Sequence, residues 1–274
     1  MERIWQMGGA PWRLPQRGAV MGILNVTPDS FSDGGAHAAP AAALAHAVEL
    51  AGQGADIIDV GGESTRPGAR EVPPAEEAAR VLPVLRAVRR ELPGIRLSID
   101  TRHAEVARAA LGEGADIVND ITGLRAPGML QLCAQSNCGI ILMHMQGEPA
   151  TMQVNPQYTD VVAEVRAFFA QRVQAAVEAG IDPRRICLDP GLGFGKTSAH
   201  CLALLEHLEQ LRIGNLPLMA ALSRKRFLQD CLGDLEEPQR TVAASLRAAA
   251  HGADIHRVHD VQALRRTLDS RHRA

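Results

Sequence analysis

Short apolar runs alternate with longer amphipathic stretches along most of the chain, and run after run ends on a polar residue before a loop. The clearest is Ile186-Cys187-Leu188, which stops at Asp189 and is followed by Pro190 and by Gly191, Gly193 and Gly195. An unbroken apolar run suits a strand buried on both faces. Pro and the glycines forbid its continuation as strand or helix. A carboxylate where a buried strand ends is rigid and partly desolvated, and glycines beside it let a ligand approach the backbone. One such Asp alone reads as a cap or a surface turn; its recurrence gives it weight. The same pattern predicts strands at Val20–Val26, Asp56–Val60, Ile95–Ile99, Asp116–Val118, Gly139–Met143, Leu216–Leu222 and Asp254–Val258.

Between these runs the apolar period changes to that of a helix. Leu44, Ala47, Val48 and Ala51 follow i, i+3, i+4, i+7 and predict a helix over Ala41–Ala51. Further helices are predicted at Glu76–Leu92, His103–Glu113, Met129–Ser136, Thr159–Ala179, His200–Leu211, Arg240–His251 and Val261–Leu268. In Thr159–Ala179 the apolar face holds Val162, Val165, Phe169 and Ala176. Ile4 to Leu14 reads as a hairpin-like lead-in closing one end of the fold, with Trp5 and Trp12 as packing residues. Eight β-then-α units follow with no break in composition. The α/β class that requires this is a (β/α)8 TIM barrel, here one domain over 1–274 with a lead-in at 1–18 and the barrel at 19–274. The doubly wound sheet needs a glycine-rich first turn, which is missing.

Composition narrows the functional classes. A net charge of −2 leaves no nucleic-acid footprint. No run is long enough to span a membrane, and Met1 to Arg13 lacks the apolar stretch of a signal peptide. The five cysteines are odd in number and form no C-x-x-C pair, so neither a disulfide framework nor a zinc cage is expected. The expected compartment is the reducing cytoplasm. Among 29 Lys and Arg only Lys196 and Lys225 are lysine, and both stand beside strand-end loops.

In a barrel all strands point the same way, so their C-terminal ends share one rim. That rim gathers Asn25, Glu63, Thr65, Asp100, Asn119, His144, Asp189, Lys225, Arg257 and His259. Two polar loops, 25–35 and 61–68, have the composition of segments that fold over a ligand, and the first carries Phe31. Arg66 and Arg257 could grip a phosphate, and His259 lies on the same strand face as Arg257. Asn25 offers a neutral oxygen suited to a magnesium ion that keeps most of its waters. Asp100 or Asp189 could accept two parallel donors from the edge of a flat nitrogen heterocycle, Asn119 could read a mixed edge, and Lys225 could donate to a ring nitrogen or carbonyl. Surface ion pairs and turns are the bland readings of each group alone. Two decoys are set aside. The loop ending in Lys196-Thr197 mimics a phosphate-binding loop, but position 190 is Pro where that motif needs Gly. His144 between Met143 and Met145 lacks a second His or Cys for a soft metal.

Eight co-linear motifs, GILNVTPDSFSDGG, IIDVGGESTRPGA, SIDT, DIVNDI, LMHMQG, LDPGLGFGK, SRK and RVHDV, resemble those of the dihydropteroate synthase family from about Gly22 to Val261. The resemblance implies a barrel enzyme that joins the diphosphate ester of hydroxymethyl-dihydropterin to 4-aminobenzoate with Mg2+, in folate synthesis. It implies that Asp100, Asn119, Asp189 and Lys225 hold the pterin. Asn25, Arg66, Arg257 and His259 would hold diphosphate, with Asn25 near the metal. Phe31, Thr65, Arg66, Pro67, Phe194 and Ser223 would form the aminobenzoate pocket, and Asp33 would join Asp100 and Lys225 in catalysis. It further implies small-molecule partners, a homodimer through the late helices and an enzyme class that is a sulfonamide target. Residue 221 is Ala where the family has Gly. The competing classes are a pterin-dependent methyltransferase domain, which needs neither both long loops nor the SRK lysine, and a catalytically silent pterin-binding paralogue.

Overall fold

The computed structural model describes residues 3–27, 35–64 and 70–273. It opens with a hairpin of β1 (Ile4–Met7) and β2 (Ala10–Arg13), antiparallel, with Trp5 opposite Trp12. Gly8 and Gly9 at its tip both have positive φ, the conformation a tight hairpin demands. Trp5 is fully buried, and its indole Nε1 donates to the Arg185 carbonyl at 2.8 Å. The hairpin thus seals the N-terminal floor of the barrel, as the lead-in was expected to do.

Eight parallel strands follow: β3 (Ala19–Asn25), β4 (Ile57–Gly61), β5 (Arg96–Asp100), β6 (Ile117–Asp120), β7 (Gly139–Met143), β8 (Ile186–Asp189), β9 (Met219–Ala221) and β10 (Ile255–Val258). Their order is β8-β7-β6-β5-β4-β3-β10-β9, and a parallel bridge between Leu188 and Leu218 joins the two ends into a (β/α)8 barrel. The described helices are α1 (Gly35–Gly52), α2 (Pro74–Glu91), α3 (Ala104–Gly112), α4 (Met129–Gln135), α5 (Val161–Glu178), α6 (Ser198–Glu206), α7 (Phe227–Leu232), α8 (Gln239–Ala250) and α9 (Val261–Arg273). Local chemistry marks several starts. The Asp160 carboxylate accepts from the Val162 and Ala163 amides at the head of α5, and Thr197 with His200 forms a capping box on α6.

Side chains alternate between the two faces of a strand, and here the faces build two distinct cores. Outward positions such as Leu24, Ile58, Leu97, Val118, Leu142 and Leu188 pack against the helices. Inward positions Met21, Ile57, Ile117, Ile141, Cys187, Met219 and Ile255 form a separate cluster with Trp5, Met7 and Leu14 beneath them. Burying each of the larger aliphatic side chains contributes about 1.5–3 kcal/mol.

The fold departs from the sequence pattern in places with clear causes. On α1 the buried face is Ala43, Ala47 and Leu50, whereas Val48 is exposed. On α5 it begins at Val161 rather than Val162. Strand β9 is shorter than Leu216–Leu222 because Pro217 has no N–H and the Leu218 amide donates to the Asp254 side chain at 2.9 Å. The helix expected over His200–Leu211 breaks at His207 into α6 and a 3-10 turn, Leu208–Leu211. Short α7 had no strong periodic signal of its own.

His256 is a buried polar residue on the outer face of the barrel wall. It is fully buried, and neither ring nitrogen has a partner among the described residues. Burial, and then Arg265, lower its pKa to about 4. The neutral ring therefore favours the folded state fully above the unfolded pKa of about 6.5, and that contribution is lost as pH falls toward 4. We expect His256→Leu to flatten the loss of stability between pH 6.5 and 4, by up to about 3 kcal/mol relative to the unsubstituted chain in urea unfolding. Parallel pH profiles for the two proteins would refute this.

Candidate active site

Two residues above the inner layer, which is apolar except for Ser98, the barrel interior turns polar. Asp59, Asp100, Asn119, Asp189 and Arg257 stand two positions beyond Ile57, Ser98, Ile117, Cys187 and Ile255 on the same strands, and so share their inward face. The register sets Asn25, Gly61, Asp100 and Asn119 in one continuous row across β3 to β6. Arg257 reaches across from β10. Its Nε donates to Asp59 Oδ2 and its Nη2 to Asp100 Oδ2, each at 2.6 Å. Asn119 Nδ2 donates to the same Asp59 oxygen at 3.1 Å, while Asp59 Oδ1 is buried without a partner. Burial pushes Asp100 up to about 7, against the pull of Arg257 and with Asp59 adding to the rise. Burial also works against the Arg257 charge, but Asp59 and Asp100 outweigh it and the pKa is raised.

The loops after β8 and β9 complete the mouth. Asp189 is almost fully buried, and its Oδ1 accepts from the Gly191 amide at 2.8 Å. Burial raises its pKa, while the Gly191 hydrogen bond and Lys225 work the other way. Burial lowers Lys225 to about 8, with Asp189 opposing, so it remains mostly protonated at neutral pH. The Lys225 ammonium lies 4.3 Å from the centre of the Phe194 ring. Phe194 packs on an apolar cluster of Ile121, Met143, Met145 and Met152. Ser223 Oγ sits 2.9 Å from His259 Nδ1 and accepts the His259 amide at 3.2 Å, joining the β9 and β10 loops. Carboxylates, their paired cations and an aromatic ring thus border one mouth, suited to a flat polar ring with an aromatic neighbour.

The structure brings Asn25, Asp100, Asn119, Asp189, Lys225, Arg257 and His259 to the C-terminal rim, as the strand pattern predicted, and Phe194 and Ser223, which only the resemblance named, lie in the loops after β8 and β9. Phe31, Asp33, Thr65, Arg66 and Pro67 lie outside the described residues. Glu63 is engaged at the base of its loop, accepting from Arg102 and from the Val72 amide. His144 is buried, and burial, then Lys196, keeps it neutral. Its Nδ1 lies 2.9 Å from Lys196 Nζ, which agrees with a structural histidine. Asp59 is the inward carboxylate of the mouth that strand reasoning missed. It lies inside the apolar run Ile57-Ile58-Asp59-Val60, and a lone carboxylate at an inward position of a buried strand was the available signal.

For a divalent cation the donor set is lean. The Asn25 side chain makes no hydrogen bond among the described residues, and its neutral oxygen suits a magnesium ion that keeps most of its waters. Glu63, Glu77 and His103 also approach one another within 4.8 Å. There Arg102 already neutralises Glu63, and His103 Nδ1 lies 2.6 Å from Glu77, so the cluster is an ion-pair knot at a loop base. A surface groove between α5 and α6 has its polar groups engaged: Asp160 caps α5, and Arg166 donates to the Gln210 and Arg212 carbonyls.

A barrel with this polar mouth matches, over residues 21–259, the family model described as pterin binding enzyme, and the chain belongs to that family. Two of the relatives and structures that it resembles stand out by coverage, and a third by its bound product. The dihydropteroate synthase of Neisseria meningitidis serogroup C is 47% identical over 267 residues, 95% of this chain and 93% of that protein. The Xanthomonas albilineans dihydropteroate synthase solved with 4-aminobenzoic acid has a TM-score of 0.91 and 46% identity, covering 100% of this chain and 98% of that one. The Burkholderia cenocepacia dihydropteroate synthase complexed with 7,8-dihydropteroate has a TM-score of 0.88 and 43% identity, covering 100% and 97%. The chain is thus a transferase of the dihydropteroate synthase kind.

Asp59→Asn tests the buried core of the site. It removes the charge that faces Arg257, and breaking a buried pair of this kind costs about 3–5 kcal/mol. Asp100 still faces Arg257, so we expect the low end of that range in urea unfolding. A change under about 0.5 kcal/mol, the scale of an ordinary surface substitution, would show that the pair carries no such weight.

Proposed function

We propose that this protein condenses (7,8-dihydropterin-6-yl)methyl diphosphate with 4-aminobenzoate, giving 7,8-dihydropteroate and diphosphate for folate biosynthesis. The observation that carries the reading is the convergence of Asp100, Asn119, Asp189 and Lys225 at one mouth beside the apolar wall of Phe194. Pterin sits between them. Ionised Asp100 and Asp189 accept the ring's paired N–H donors, Asn119 reads a mixed edge, and Lys225 donates to a ring nitrogen or carbonyl. Such hydrogen bonds favour the carboxylate form against the burial that raises both acids.

The leaving diphosphate lies at the rim, against Asn25 and His259; Arg66, outside the described residues, is assigned to it by the family resemblance alone. Arg257 has its Nε and Nη2 engaged by the two aspartates, which leaves Nη1 for an anionic oxygen. Mg2+, when bound with diphosphate, neutralises charge on the leaving group, with Asn25 as its protein ligand. The C–O bond breaks first and its electron pair leaves with diphosphate. The positive exocyclic methylene left behind is delocalised into the pterin ring. Carboxylates fixed in advance stabilise that charge without reorganising. The arylamine lone pair then forms the C–N bond, and the amine proton is lost. The amine needs position and a dry pocket rather than activation. Phe194 and Ser223 border that pocket; Phe31, Asp33, Thr65 and Pro67, outside the described residues, are assigned to it by the family resemblance alone. The same reading carries a cytoplasmic homodimer joined through its late helices.

A magnesium-dependent assay with the pterin diphosphate and labelled 4-aminobenzoate tests the whole reading; no labelled pteroate would sink it. Asp189→Ala is expected to weaken pterin binding by about 100-fold, the scale of a lost charged hydrogen bond with its partner left unpaired. Unchanged affinity by calorimetry would refute its role. His259→Ala is expected to raise the KM for the pterin diphosphate about tenfold while leaving the affinity for a diphosphate-free pterin intact. Equal loss for both ligands would contradict the assignment.

A further inference from the structure

We propose that Lys196 is a positioning residue for the arylamine side of the site, acting through Phe194. Lys196 is only 3% exposed and lies in the loop between β8 and α6. Its Nζ lies 2.9 Å from His144 Nδ1, 3.0 Å from the Gly191 carbonyl, 2.9 Å from the Phe194 carbonyl and 3.3 Å from the His144 carbonyl. Its N–H donors, at most three, therefore meet four acceptors drawn from two loops, and Nζ has no capacity left for a ligand. This explains a lysine that resembles a phosphate binder in sequence and is none in space.

The two loops it joins are in backbone contact. A Cβ at Gly191 would stand 2.0 Å from the His144 carbonyl oxygen, and one at Gly195 would stand 2.4 Å from that of Gln146. Only glycine, with its positive φ at both positions, allows so close an approach. That contact crowds carbonyls around a buried spot, and the Lys196 N–H donors compensate them, while burial lowers the Lys196 pKa to about 7. The Tyr158 hydroxyl adds a bond to the Gly195 carbonyl at 2.9 Å, and Gln153 Nε2 donates to the Gly193 carbonyl. Asp189 stands at a strand end, held by the β7–β8 ladder. Phe194, at the tip of the loop, has no ladder, and the Lys196 clasp on its carbonyl substitutes for one. Its ring is thereby held beside the Lys225 ammonium and over Met143 and Met145.

The inference rests on the reading that Phe194 walls the aminobenzoate pocket, and the test separates the two. Lys196→Met keeps the chain length and removes all donors. In the full-length protein with Mg2+, we expect the KM for 4-aminobenzoate to rise about tenfold or more, the scale of a lost charged hydrogen bond. The KM for the pterin diphosphate should move less than about threefold, since Asp189 keeps its strand and its Gly191 bond. In a Phe194→Ala background the Lys196→Met substitution should add no further rise in the aminobenzoate KM. A purely structural role would lower stability but would give neither the split between the two KM values nor the coupling to Phe194. If Phe194→Ala alone leaves the aminobenzoate KM unchanged, the reading of Phe194 fails and the proposal with it. If Phe194→Ala raises it but Lys196→Met does not, or if the two effects multiply independently, the positioning role alone fails. Should Lys196→Met not accumulate folded, Tyr158→Phe loosens the same loop with less damage. It should raise the aminobenzoate KM about threefold, a single neutral hydrogen bond, and no rise would overturn the proposal.

Discussion

A ring of acids inside a barrel is an electrostatic problem before it is a binding site. Asp59, Asp100 and Asp189 project into one low-dielectric space, where each uncompensated charge would cost several kcal/mol. Arg257 resolves most of this by bonding Asp59 and Asp100 at once, and Lys225 offsets Asp189. The guanidinium is planar and permanently charged, so it can hold two carboxylates in fixed orientation where a lysine would hold one. Because these pairs form on folding, the groups that meet the ligand are already oriented when it arrives. The interior charge balance and the preorganisation of the site are one arrangement.

The eight-unit rhythm and the rim were legible because a parallel barrel imposes a simple code: an apolar run, a polar terminus, a breaker, a helical period. Nearly every strand fell within a residue or two of its apolar run. Legibility failed where tertiary contacts override the local pattern. Val48 fits a helical period yet faces solvent, because the surface that α1 meets selects Ala43, Ala47 and Leu50. Asp254 takes the Leu218 amide away from the ladder and shortens β9, which no local period could announce. Asp59 escaped because a charged residue inside an apolar run looks like a blemish in a strand rather than a site. What distinguishes it is the arginine 198 positions away in sequence.

The other half of the mouth is built by shape more than charge. Glycines let the segments after β7 and β8 lie backbone to backbone, and the methionines of the first segment become a floor for the phenyl ring of the second. Methionine is unbranched and adapts to irregular contacts, which suits a surface against a flat aromatic guest. Residues 143–145, which in sequence hint at a soft metal, are in space part of an aromatic seat.

The separation of the two cores has a consequence for how this wall tolerates change. Neighbouring residues on any strand answer to different masters: one docks helices, the next shapes chemistry. Inserting or deleting one residue within β4, β5 or β8 would turn carboxylates toward leucine-lined helices and send aliphatic side chains into the mouth. Length along these strands is therefore a stricter inheritance than side-chain identity, and variation in such a barrel is confined to substitution on the wall and to insertion in the loops.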